Sequence, residues 1–168
     1  MSQPPNRREF LFRLGTGAGV AALGAQAVAS LRSLVPNVSY DAPTTVKLGP
    51  PGDFPDGLKF LPDLRLFVFR EGNTFHAISA VCTHLGCTVR AEALPLAQEK
   101  SVAGRPLRLT HRFLCPCHGS KYEGDGSIVS GPAPKRLAWY SLTAAPDDGQ
   151  LVVDLAQPVD QDFRFTLA

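Results

Sequence analysis

The chain has almost no excess of charge. Seventeen Lys and Arg stand against fifteen Asp and Glu, a formal net charge of +2, and no basic stripe interleaved with aromatics appears. A nucleic-acid surface is excluded on that ground, because phosphate binding needs clustered cations. No internal repeat is visible, so a solenoid or propeller is excluded. Cysteines number only four. None lies in C-x-x-C, which excludes a thioredoxin-like site, or in C-x-x-C-H, which excludes covalent haem. The zinc pairing of C-x2–4-C with H-x3–5-H is missing as well.

What is present is concentrated. All four cysteines fall in two short boxes, Cys82-Thr83-His84-Leu85-Gly86-Cys87 and Cys115-Pro116-Cys117-His118-Gly119-Ser120. Each box pairs a cysteine with a nearby histidine, Cys82 with His84 and Cys115 with His118, and carries one further cysteine, Cys87 or Cys117. Two thiolates and two imidazoles suit a [2Fe–2S] cluster of mixed ligation. Neutral imidazoles on one iron remove negative charge and raise the reduction potential. This reading puts both thiolates on one iron and both histidines on the other. The histidine iron then lies nearer the surface, since imidazole has a second nitrogen to face outward.

The two boxes resemble the signature of Rieske iron–sulfur proteins of the cytochrome bc1/b6f type. The resemblance is strong over 82–87 and 115–134 and looser elsewhere. It implies Cys82, His84, Cys115 and His118 as ligands and a Cys87–Cys117 disulfide joining the two loops. It implies that Ser120 and Tyr122 donate hydrogen bonds to cluster sulfur, tuning the potential. Gly131-Pro132-Ala133-Pro134 would be a stiff loop covering the cluster from a third side, and Leu85 an exposed contact near the histidines. It implies a bc-type quinol:cytochrome c oxidoreductase subunit. One outward imidazole would accept the quinol's hydrogen bond, with the quinol held by a b-type cytochrome subunit and the electron passed to a c-type cytochrome. His84 and His118 are thus the expected proton-handling residues. Two other readings stay open: a Rieske small subunit of a periplasmic molybdenum oxidase such as arsenite oxidase, and a zinc-stabilised binding module. His76 and His111, outside the boxes, read as ordinary surface or strand histidines.

The amino end, Asn6-Arg7-Arg8-Glu9-Phe10-Leu11-Phe12, resembles a twin-arginine export signal. Leu14 to Leu31 then runs without charge, about long enough to span a thin bilayer. Arg7, Arg8 and Arg13 precede it and place the amino end in the cytoplasm. The cluster domain is then expected on the periplasmic side of a bacterial inner membrane. Ala25-Gln26-Ala27 and Ala27-Val28-Ala29 resemble cleavage sites, but the resemblance implies a retained anchor.

The expected organisation is an anchor over 1–31, a tether over 32–45 and one domain over 46–168, with its cluster-binding part at about 80–134. The fold class is all-β: a Rieske-type antiparallel β-sandwich with a cluster-binding subdomain, preceded by one transmembrane helix. Strands are expected at 64–69 and 74–78 around the turn Glu71-Gly72-Asn73, at 112–114, and as a hairpin at 138–142 and 150–154. The stretch 90–110, with Glu92, Glu99, Lys100 and Arg105, is expected as a helix–loop insertion.

Overall fold

The computed structural model describes residues 6–35 and 44–167, which divide into an amino-terminal unit and a unit beginning near Pro43. The first is one helix, α1 (Arg7–Ser33). The Asn6 side chain caps it by accepting from Glu9 N at 2.9 Å, and Glu9 pairs with Arg13 one turn on. It starts at the twin arginines, ahead of the charge-free run that begins at Leu14, and ends at Ser33. At 27 residues, with a mean hydropathy of 1.3 over an 18-residue stretch, it is long and apolar enough to cross a membrane. Most of the expected tether, 36–43, lies outside the described residues.

The second unit is antiparallel β throughout. Its larger sheet contains β1 (Thr45–Gly49), β2 (Gly57–Leu61), β3 (Leu66–Glu71), β4 (Thr74–Ser79), β9 (Trp139–Ala144) and β10 (Leu151–Val159), in the order β1-β10-β9-β4-β3-β2. A short final strand, β11 (Phe165–Thr166), also pairs with β4. The smaller sheet orders β5 (Arg90–Val102), β6 (Arg105–Leu114), β7 (Lys121–Tyr122) and β8 (Ile128–Ser130) in sequence.

The unbroken apolar run Leu66-Phe67-Val68-Phe69 is explained by burial on both faces of β3. Phe67 and Phe69 join one core with Ile78, Leu107, Leu109, Phe113, Tyr122 and Trp139, residues that come from both sheets. Leu66 and Val68 join a second core on the opposite face with Phe54, Phe75, Leu142 and Leu151.

One expectation is corrected. The stretch 90–110 is a long β-hairpin, not a helix–loop. Leu107, Leu109 and Phe113 alternate inward along β6, which is a strand period. The turn is Ala103-Gly104, both at positive φ (50° and 81°) between the paired Val102 and Arg105. Two-residue hairpin turns with φ > 0 at both positions usually advertise themselves as Asn-Gly or Asp-Gly, and here alanine hides the signal. His76 lies in a strand, one of its two expected settings. It is buried in β4 with its ring stacked between Phe69 and Trp139, 4.7 Å from each. His111 is half-buried beside Phe69.

Candidate metal centre

Both boxes are loops on the sheet scaffold, and their backbones close the same way. In loop one, Gly86 N donates to Cys82 O (2.9 Å) and Cys82 N to Cys87 O (2.8 Å). In loop two, Gly119 N donates to Cys115 O (3.0 Å) and Cys115 N to Ser120 O (2.8 Å). Gly86 and Gly119 both sit at positive φ (76° and 70°), where glycine alone is free of strain. Each box thus turns back on itself within five residues, which throws its histidine and cysteine to one end of the domain.

There the donors sort by element and depth. Cys82 and Cys115 are free thiols, 2% and 1% exposed, in the same buried cluster. His84 and His118 come together with ring centroids 4.8 Å apart and planes at 89°. His118 is exposed and His84 half-buried. Cys87 and Cys117 form a disulfide, Cα to Cα 6.6 Å, that joins the two loops. Leu85 stands at the tip, 70% exposed.

The surroundings favour charge on sulfur. Burial pushes the Cys82 thiol up. Hydrogen bonds from the Tyr122 hydroxyl, the His84 backbone N–H and neighbouring side chains, Ser120 included, outweigh this and leave it below its usual value. Burial and the Cys82 contact push the Tyr122 hydroxyl up. Tyr122 therefore keeps its proton and donates to Cys82 Sγ at 3.2 Å, while accepting from Thr83 N at 3.4 Å.

The segment 131–135 packs against both boxes. Ala133 N donates to Ser120 Oγ at 3.2 Å. Gly131, at φ 105°, packs so closely that a Cβ there would meet Ser120 Cα at 2.5 Å. Thr83 Oγ1 donates to Lys135 O at 2.6 Å and pins the loop to box one. Sequence reasoning passed over Thr83, whose hydroxyl carries no motif of its own. An open, largely apolar groove of about 620 Å³ runs beside Pro116 and is lined by Leu58, Phe60, Phe67 and Val89, but not by His84 or His118.

These residues fit a [2Fe–2S] group. The thiols form a buried pair, and the imidazoles form a second pair nearer solvent. His84 Nδ1 is buried with no hydrogen-bond partner. An orphaned buried nitrogen is costly and calls for a missing ligand. If Nδ1 faces the group, Nε2 is the nitrogen left over.

Residues 40–141 match the family model of the Rieske [2Fe-2S] domain, and the chain belongs to that family. It is 33% identical over 161 residues to the cytochrome b6-f complex iron-sulfur subunit of Chlorobaculum tepidum, covering 89% of this chain and 76% of that protein. It is 38% identical over 108 residues to cytochrome b6-f complex iron-sulfur subunit 1 of Nostoc sp., covering 64% of this chain and 50% of that one. Among solved structures it aligns with a cyanobacterial plasma-membrane Rieske protein from Synechocystis at 23% identity and a TM-score of 0.40, covering 64% of this chain and 97% of that one.

Proposed function

We propose that the chain is the electron-transfer subunit of a bc-type quinol-oxidising complex, anchored by α1 with its β domain on the periplasmic side. In this reading 1–31 is the anchor, 32–45 the tether and 46–168 the Rieske domain, with the centre built from about 80–134. Cys82 and Cys115 hold one iron, and His84 and His118 the other. The observation that carries this is the layered donor set: two buried thiols, an imidazole pair toward solvent, and a buried His84 Nδ1 without a partner.

When bound, the [2Fe–2S] group supplies a one-electron acceptor whose potential mixed ligation raises into roughly the −150 to +300 mV range. The chain's own residues do the rest. Tyr122 and Ser120 donate to sulfur and favour the more negative state. His84, whose Nδ1 is the buried nitrogen, and His118 would each keep one ring nitrogen to accept a hydrogen bond from a quinol hydroxyl and take its proton. Added negative charge nearby raises an imidazole's pKa, so electron and proton move together. The quinol sits in a b-type cytochrome subunit and the electron leaves to a c-type cytochrome. The curated relatives described above are b6-f subunits, which disfavours the molybdenum-oxidase and zinc-module readings.

The test is metal and sulfide analysis of the chain expressed with adequate iron, followed by a redox titration across pH. Equal iron and acid-labile sulfide, and a potential that falls as pH rises above neutral, are expected. His84→Ala or His118→Ala removes the centre and quinol turnover. A colourless protein holding zinc and no sulfide overturns the proposal.

A further inference from the structure

We infer that Arg65 is a positioning residue that locks loop one and places a fixed cation beside the centre; this rests on the reading of the site above. Arg65 ends the turn Pro62-Asp63-Leu64-Arg65 between β2 and β3, donating its backbone N–H to Pro62 O at 3.1 Å. Its φ is +49°, and among the described residues only it and Ala103 are non-glycine residues at positive φ. Glycine is the default there, and an L side chain is strained. A long cationic side chain at a glycine position therefore needs a compensating role.

The structure shows that role. The Arg65 guanidinium donates through Nη2 to Gly86 O and through Nε to Thr88 Oγ1 at 2.9 Å. It grips loop one on either side of Cys87, the disulfide cysteine. Gly86 is a strategic partner because its N–H already closes the loop onto Cys82 O, so its carbonyl is where an outside group can hold that closed turn. Arg65 O accepts from Ala80 N at 2.7 Å, which fixes the chain just before Cys82. One residue thus braces box one at its entry and at its exit. Ala103, the other positive-φ residue, only turns a hairpin. The guanidinium bonds two residues from His84 and one from Cys87, where a positive charge favours the reduced, more negative centre.

The test compares Arg65→Gly, Arg65→Lys and Arg65→Gln in the full chain. The readouts are thermal stability, midpoint potential, and hydrogen exchange at the Gly86 and Cys82 amides. Arg65→Gly relieves the backbone strain, so its melting temperature should match or exceed that of the parent. Its loop-one amides should exchange at least about tenfold faster. Its reduction equilibrium should shift about threefold toward the oxidised state, equivalent to about 28 mV at 59 mV per tenfold for one electron. Arg65→Lys keeps the charge without the fork, so exchange should speed up while the potential falls less than in Arg65→Gln. Parent-like exchange and potential in Arg65→Gly overturn the proposal. If that variant does not fold, parent-like values in Arg65→Gln overturn it equally. A parent chain that never takes up iron and sulfide instead refutes the site reading, a separate result.

Discussion

His76 makes the domain sensitive to acid at a place remote from the boxes. Its ring is 4% exposed and lies nearly parallel to Phe69 and Trp139, with interplanar angles of 2° and 10°. Burial first, and the Arg164 guanidinium second, hold its pKa well below the ordinary 6.5. Arg164 itself lies 4.7 Å over the Trp139 ring, so a cation already occupies the next position in the stack. The unfolded chain takes up a proton at this histidine below pH 6.5 and the native chain does not. Stability is therefore full above about pH 6.5 and is lost as pH falls from there toward the depressed native value. The slope for this one group reaches at most about 1.4 kcal/mol per pH unit, while the native ring stays neutral and the unfolded one is charged. His76→Phe keeps a flat ring in the stack and removes the titration. Urea unfolding of both proteins at pH 5 to 8 checks the argument. The difference in stability between parent and variant should be flat above pH 7 and tilt in the variant's favour as pH falls toward 5, with a slope of up to about 1.4 kcal/mol per pH unit. His111, whose pKa burial also lowers, is common to both and cancels. Parallel stability curves for the two proteins would refute the reasoning.

Three further outcomes follow from the site. Replacing Cys87 and Cys117 together by serine should cost about 3–4 kcal/mol in chemical denaturation, from the loop closed over 30 residues of sequence separation. Gly131→Ala forces a Cβ to within 2.5 Å of Ser120 Cα and should destabilise the domain by about 1–3 kcal/mol, read as a lower melting temperature and weaker retention of iron. Tyr122→Phe removes the hydroxyl that donates to Cys82 Sγ; it should leave iron content intact and lower the midpoint potential in a redox titration.

The parts of this molecule that were legible in its sequence are those with short-range signatures. Cys82, His84, Cys115 and His118 announced a mixed donor set through local spacing, and the structure brings the four to one end of the domain. The strands at 66–71 and 74–79 were readable because Gly72 marks a two-residue turn. The hairpin at 90–114 was not, since Ala103 occupies a position that commonly carries asparagine or aspartate and Ala91, Ala93 and Ala97 suggest helix. The burial of His76 was hidden for a different reason. Its neighbours alternate as in a half-exposed strand, and only the packing of a second sheet makes both faces of β4 interior. The role of Arg65 was out of reach, because it depends on a backbone angle and on a carbonyl 21 residues away.

The strand Leu66–Glu71 belongs to both apolar clusters at once, sending Phe67 and Phe69 to one side and Leu66 and Val68 to the other. Neither half of the interior can loosen while the other keeps its shape, because the wall between them is a single backbone. Heating the domain should therefore produce one sharp calorimetric peak rather than two, and the end that carries the boxes inherits the rigidity of the whole.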